Sequence, residues 1–83
     1  MVEKRFVYVI QSHSSATQYY VGLTSNVMTR LASHNAGDSP HTQRYRPWKL
    51  VVVMAFATEK RAAAFEKYLK SSAGSAFLKH HLM

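Results

Sequence analysis

The segment YYVGLTS, residues 19–25, changes from a strand pattern to a helix start within seven residues. Paired aromatic residues and a β-branched valine favour a half-buried strand. Gly22 marks a position where another group approaches the backbone closely or where φ is positive. The segment ends on Thr24 and Ser25, and Asn26 follows, so three N-cap residue types stand in a row. The sequence therefore predicts a strand that leads directly into a helix.

The helix after this strand carries two polar residues of chemical interest. Val27 and Leu31 repeat at helical spacing, and Gly37 stands where a helix would end. Arg30 and His34 are four residues apart, so their side chains lie one above the other. Because they flank the apolar stripe, we expect both to emerge at the rim of the core, beside the end of the strand.

Composition indicates one small basic domain. The chain has 83 residues, with eleven Lys and Arg against four Asp and Glu and a net charge of +7. Such a balance is expected of a polyanion binder, and nucleic acid is the partner we expect. The absence of cysteine excludes disulfides and thiolate metal sites. The start of the chain does not resemble a signal peptide and no apolar run could span a membrane, so we expect a soluble, cytoplasmic protein.

Two further strands are predicted on either side of this unit. Phe6–Ile10 is wholly apolar or aromatic, which fits a strand covered on both faces. The polar stretch Gln11–Gln18 would join it to the next strand as a hairpin, with Tyr8 and Tyr20 on neighbouring strands. Lys49–Phe56 is again almost wholly apolar and predicts a third strand that is also buried on both faces.

Two helices are predicted in the last third of the chain. Thr58 is an N-cap residue, and apolar residues then repeat at helical spacing as far as Lys70. We expect Gly74 and the following serine to end this helix and Ala76–Leu82 to form a short third one. The order β-β-α-β-α-α predicts an α+β fold, in which helices flank a three-stranded, mostly antiparallel sheet.

The loop Gly37–Trp48 interleaves basic and aromatic residues. Its arginines suit phosphates and its aromatic rings could stack on bases. Equally supported is the alternative that Tyr45 and Trp48 fix the loop to the core. The side chains that we expect to contact nucleic acid are Arg44, Arg46, Lys70 and Lys79.

Glu66 is the carboxylate that lacks a simple surface interpretation. It lies on the shoulder of the apolar stripe of its helix, where partial burial would require a cationic partner or a metal ion. The ordinary interpretation is an ion pair with Lys67, Lys70 or Arg30. The chain has no cluster of ligands that would suit zinc.

Five features occur in an order that resembles a known family. They are Phe6-Val7-Tyr8, Tyr20-Val21-Gly22, Arg30, the pair His34-Asn35, and Glu66. This pattern is similar to the GIY-YIG endonuclease superfamily over essentially the whole chain. It is especially close to small stand-alone bacterial domains related to the nuclease half of the excision-repair endonuclease.

The resemblance implies metal-dependent hydrolysis of nucleic-acid phosphodiesters, in DNA more than in RNA. In the family's scheme, Glu66 holds one divalent ion, magnesium or manganese. Arg30 binds the scissile phosphate, and Tyr20 or Tyr8 takes a proton from the attacking water. His34 could relay that proton.

Of three departures from the family pattern, the two that concern Leu23 and the missing asparagine bear on the rate. Phe6 replaces the first glycine of the motif, Leu23 stands where some relatives have lysine, and no asparagine follows Glu66. The alternative hypothesis is therefore a nucleic-acid-binding module with the same fold and weak or absent catalysis. A third is a protein-interaction role, which predicts no affinity for nucleic acid even at low salt.

Overall fold

The computed structural model of the protein describes residues 2–83 and confirms the predicted α+β fold. Over these residues the chain forms strands β1 (Phe6–Ser12), β2 (Tyr19–Thr24) and β3 (Trp48–Ala55), and helices α1 (Val27–Ala36), α2 (Glu59–Leu69) and α3 (Ser72–His81). A 3₁₀ turn at Gln43–Tyr45 lies between α1 and β3. None of the helices in this part of the chain has the length and apolar character needed to cross a membrane.

The sheet is antiparallel throughout, with strand order β2-β1-β3. In the β1–β2 pair, Tyr8 lies opposite Gly22 and Ile10 lies opposite Tyr20. Tyr8 and Tyr20 are thus diagonal neighbours whose side chains share one face of the sheet. The hairpin prediction is confirmed, and the register brings the two phenols together.

Strand β3 is less buried than its apolar sequence predicts. Its side chains at Leu50 and Val53 are exposed, whereas Trp48 at its start is buried. The prediction of burial on both faces was wrong for this strand because β3 is an edge strand that pairs only with β1. The helices on the two faces leave part of such an edge uncovered.

Two separate cores lie on opposite faces of the sheet. The apolar core packs β1 and β2 against α2 and α3, and its buried residues are Val7, Val9, Val21, Ala62, Leu69 and Leu78. The aromatic core packs the other face against α1, and its buried residues are Tyr8, Ile10 and Trp48. Partly buried Tyr20, Val27, Leu31 and Tyr45 surround the aromatic core.

The helix ends follow the predicted caps, with one exception. The side chain of Asn26 accepts a hydrogen bond from the Thr29 amide, and Gly37 ends α1 in the left-handed region with φ 84°. Thr58 caps α2. Gly74, by contrast, does not end α2 but lies in the first turn of α3, where a Cβ would overlap the end of α2. The predicted break at Gly74 was wrong because the missing side chain permits close helix packing.

Candidate active site

Tyr8 lies across Gly22 on the neighbouring strand. The two residues are directly paired, and a Cβ at position 22 would overlap the phenol ring and hydroxyl of Tyr8. Of the two alternatives predicted for Gly22, close approach of another group is therefore the correct one. A positive φ is found at Gly37 and not at Gly22. A glycine at this position lets β2 accommodate a large aromatic side chain within the aromatic core.

Three buried polar side chains, those of Tyr8, His34 and Thr42, form a hydrogen-bonded series that we call the polar chain. The Tyr8 oxygen lies 2.8 Å from Nε2 of His34, and Nδ1 of His34 lies 2.7 Å from Oγ1 of Thr42. Tyr8 and Thr42 are each 1% exposed and His34 is 0% exposed. The prediction that His34 emerges at the rim was wrong, because Tyr8 and Thr42 enclose its ring.

Burial and one cation set the protonation of these groups. Burial, followed by the charge of Arg30, lowers the pKa of His34 below its usual value. Burial also raises the pKa of Tyr8, and the adjacent Arg30 opposes this shift. Contact with the Tyr8 hydroxyl raises the pKa of Arg30. At neutral pH the site therefore contains a neutral imidazole, a protonated Tyr8 phenol and a charged guanidinium.

Tyr20 is the more accessible of the two phenols. It is partly exposed, and its ring centroid lies 6.3 Å from that of Tyr8 and 5.1 Å from that of His34. Arg30 is also partly exposed and lies beside both phenols. The predicted convergence of these four side chains is thus what the fold produces, with Tyr20 and Arg30 toward solvent and Tyr8 and His34 inside.

Glu66 reaches the same part of the molecule from the other face of the sheet. Helix α2, which carries Glu66, packs on the apolar core. The ammonium of Lys70 links Glu66 to Tyr20, since it lies 2.6 Å from Oε2 of Glu66 and 5.7 Å from the ring centroid of Tyr20. The charge of Glu66 also contributes to the raised pKa of Tyr8. The carboxylate, only 20% exposed, therefore lies near the phenols at the edge formed by β2. Of the three cations named in the alternative interpretation of Glu66 as an ion-pair partner, Lys70 is the one that pairs with it.

The donor set at this edge suits a hard divalent cation. Glu66 presents a partly exposed carboxylate at this edge, where it already attracts the ammonium group of Lys70. Within residues 2–83 no three His, Cys, Asp or Glu side chains are grouped as a metal cluster. A single carboxylate fits magnesium or manganese, which keep several water ligands, and does not fit zinc.

The loop before β3 is held to the core by its aromatic residues. The indole nitrogen of Trp48 donates to the carbonyl oxygen of Thr42 at 2.8 Å, and the ring of Tyr45 packs edge-on against Trp48. Trp48 is too buried to stack on a base. The structure therefore favours the anchoring alternative over base stacking for these two side chains.

The four basic residues expected to contact nucleic acid lie in two regions. Lys70 and Lys79 lie at the β2 edge, where the Lys79 ammonium is 5.9 Å from the Tyr19 ring centroid. Arg44 and Arg46 are exposed on the segment between α1 and β3. The Nε of Arg46 donates to the Gln43 carbonyl at 2.9 Å, so Arg46 also stabilises its own turn.

Two residues acquire roles that the sequence did not indicate. Asn35 accepts from the Trp48 amide at 2.6 Å and donates to the Trp48 carbonyl at 3.0 Å, which joins α1 to β3. Thr42 completes the polar chain from a loop position eight residues after His34. Nothing in its sequence neighbourhood distinguishes Thr42 from a surface threonine, so only the folded chain reveals its contact with His34.

The fold and this site define a small α+β domain with two phenols, a guanidinium and a carboxylate at one sheet edge. The family model described as the GIY-YIG catalytic domain matches residues 4–79, so the chain belongs to that family. The resemblance to the GIY-YIG family that the sequence indicated is confirmed.

Relatives fall into two groups. A UPF0213 protein of Streptococcus pneumoniae is 35% identical over 71 residues, covering 84% of this chain and 70% of the relative. A UPF0213 protein of Staphylococcus haemolyticus is 33% identical, with 82% of each chain covered. A structure-specific endonuclease subunit SLX1 homolog of Giardia intestinalis is 39% identical over 62 residues, covering 70% of this chain but 17% of that protein. No solved structure gave a significant match.

Proposed function

We propose that this protein is a divalent-metal-dependent nuclease that hydrolyses phosphodiester bonds in nucleic acid, with DNA preferred over RNA. The observation that carries the proposal is the proximity of two phenols, a guanidinium and a carboxylate at the β2 edge. Family membership and the SLX1 relatives, named structure-specific endonuclease subunits, support the same activity. The net charge of +7 supports a polyanionic substrate.

We assign Tyr20 as the general base that takes a proton from the attacking water. A general base must come within hydrogen-bonding reach of the proton that it removes, and Tyr20 is partly exposed. The Tyr8 hydroxyl is buried and already occupied by His34. To act as the base, the Tyr20 phenol would first lose its own proton to solvent, and the negative charge of the resulting phenolate would be attracted by Arg30 and Lys70 until it accepts the proton of the water.

Arg30 is the group that we assign to the scissile phosphate. A guanidinium presents several donors in a fixed plane and remains charged, which suits phosphate oxygens in the transition state. Its guanidinium lies beside Tyr8 and Tyr20, so a phosphate bound to it would lie next to both phenols. Because His34 is fully buried, its role is to pair with Tyr8 and not to touch the substrate.

Glu66 is the residue that would hold the magnesium or manganese ion, with water supplying the remaining ligands. When bound there, the ion supplies positive charge that stabilises the leaving oxygen. Lys70 competes for the same carboxylate, since its ammonium already pairs with it.

Basic side chains beside the site would bind the flanking backbone. Lys70 and Lys79 lie along the β2 edge, and Arg44 and Arg46 extend the positive surface on the segment before β3. Contacts of this kind bind phosphates without reading bases. We therefore propose cleavage that selects nucleic-acid structure or is weakly sequence-specific, by a protein of the cytoplasm.

The test is cleavage of labelled flap, nicked, single-stranded and plain duplex DNA, with matched RNA, in magnesium or manganese. Glu66→Gln keeps the size of the side chain but removes its charge, and we expect it to lower kcat by roughly 100-fold or more. The matched control is Glu59→Gln, the same substitution in the first turn of the same helix, which should cleave like wild type.

Two results would reject the nuclease proposal. One is the failure of wild-type protein to cut any of these substrates with either ion, and the other is equal cleavage by Glu66→Gln. Salt-dependent binding that needs no metal and survives loss of Glu66 would instead support the nucleic-acid-binding alternative.

A further inference from the structure

Thr42 is a buried polar residue that lies outside the five candidate site residues, which are Tyr8, Tyr20, Arg30, His34 and Glu66. Its hydroxyl lies 2.7 Å from Nδ1 of His34, and its side chain is enclosed between α1 and the start of β3. Hydrogen bonds to its backbone amide and carbonyl fix its position. The Thr42 amide donates to the Ser39 carbonyl at 3.2 Å, and its carbonyl accepts from the Trp48 indole at 2.8 Å. The hydroxyl is thus held against the imidazole by its surroundings.

The donors and acceptors along the polar chain determine where its protons lie. Arg30 has donors only, so it cannot accept the hydroxyl proton of Tyr8. The acceptor that the structure provides for this proton is Nε2 of His34, 2.8 Å away. Since Nε2 must then be unprotonated, the single proton of a neutral His34 lies on Nδ1. There it is donated to the Thr42 oxygen.

We infer that Thr42 is a positioning residue: by accepting the Nδ1 proton it stabilises, together with Tyr8, the His34 tautomer that accepts from Tyr8 and leaves the Tyr8 lone pairs to Arg30. The chain of contacts then runs from a loop threonine through two buried side chains to the guanidinium proposed to bind phosphate. The effect of Thr42 on turnover depends on the proposed nuclease function, whereas its effect on the tautomer does not.

The test compares Thr42→Val with Thr42→Ser in the full chain. Valine has nearly the shape of threonine but cannot accept the Nδ1 proton, whereas serine can. Long-range ¹H–¹⁵N correlation spectra of the imidazole distinguish the two tautomers. We expect the Nδ1-protonated form in wild type and Thr42→Ser. In Thr42→Val we expect a mixture of tautomers, which moves the two ring-nitrogen signals towards each other.

Turnover provides the second measurement. We expect Thr42→Val to lower kcat by about tenfold or more, as loss of an orienting partner of a functional histidine does, with KM little changed. Thr42→Ser should retain most of the rate. Thr58→Val is the matched control, because it removes a threonine hydroxyl that caps α2 and has no contact with His34. Thr42→Ala provides a second hydroxyl-free variant if the valine variant fails to fold.

Retention of the wild-type tautomer in the hydroxyl-free variants would overturn the inference, whatever their rates. Failure of serine to restore the tautomer would overturn it as well. The tautomer is measured without nucleic acid, so a wild-type protein that cuts nothing would reject the nuclease proposal and leave this result standing.

Discussion

The two faces of the sheet are built on different principles. The fully buried side chains of the apolar core are all hydrocarbon, from Val7 and Val9 on β1 to Leu78 on α3. The aromatic core contains Tyr8, and His34 and Thr42 are buried beside it in the polar chain. Hydrocarbon packing is non-directional, whereas each buried polar group requires a partner at a defined distance. The first face therefore supplies stability, and the second holds chemical groups in fixed positions.

The polar side chains buried on the second face are fully hydrogen-bonded. Each polar atom of His34 has a partner, and no buried side-chain nitrogen or oxygen in residues 2–83 lacks one. A fully paired polar network fixes one arrangement of its members. We therefore expect substitutions on the two faces to separate stability from activity.

The largest expected loss of stability follows Leu78→Ala in the apolar core. Leu78 is fully buried, so the substitution removes packed methyl groups and leaves a cavity, at a cost of about 2–5 kcal/mol in the free energy of unfolding. Urea denaturation at low temperature measures this loss, and Leu50→Ala on the exposed β3 edge is the control. Under conditions where Leu78→Ala is folded, its cleavage rate should match wild type. A much lower rate would mean that the two cores are coupled.

A smaller loss of stability but a larger loss of activity is expected for Gly22→Ala. The added methyl group overlaps the Tyr8 phenol, whose hydroxyl is held by His34, so overpacking costs about 1–3 kcal/mol. Displacement of Tyr8 should also alter the imidazole spectrum of His34 and reduce cleavage. Leu23→Ala is the control, since Leu23 packs on the apolar core. An unchanged His34 spectrum in Gly22→Ala would contradict the described contact.

The smallest effect concerns the pH dependence of stability. Burial and Arg30 keep the folded-state pKa of His34 below the ordinary 6.5, so only the unfolded chain gains a proton there as pH first falls below that value. The free energy of unfolding should therefore fall with decreasing pH until the folded-state pKa is reached. The slope from this one group is at most about 1.4 kcal/mol per pH unit.

Urea denaturation between pH 7.5 and 5 measures this slope. We expect it to be reduced in His34→Asn and unchanged in His80→Asn, which alters an exposed histidine. Equal slopes in wild type and His34→Asn would show that the buried imidazole is not the group responsible.

Local signals predicted much of the fold. Helix α1 begins after Asn26 and ends at Gly37 as expected, and Thr58 caps α2. The polar stretch before Tyr19 forms the predicted hairpin loop. These features depend on interactions within a few residues, which is why a sequence pattern reports them. The exposure of β3 and the position of Gly74 inside α3 were predicted wrongly. Both depend on which other element lies alongside.

The site divides in the same way. The residue types at Tyr8, Tyr20, Arg30 and Glu66, together with their resemblance to a nuclease family, pointed to one chemistry from the sequence alone. We propose the roles of these residues and the divalent ion that Glu66 would hold. The sequence did not indicate that one phenol would be buried and the other accessible, because an alternating strand pattern does not fix its neighbours.

The sequence by itself determined the element order, the helix caps, the basic charge and the family to which the chain belongs. Only the tertiary structure decided that His34 is enclosed, that Thr42 lies against its ring and that Glu66 approaches Tyr20 from the opposite face. Helix caps depend on residues within one turn, whereas these contacts join different elements of the fold. Their geometry is fixed only when the sheet register and the packing of both faces are satisfied together.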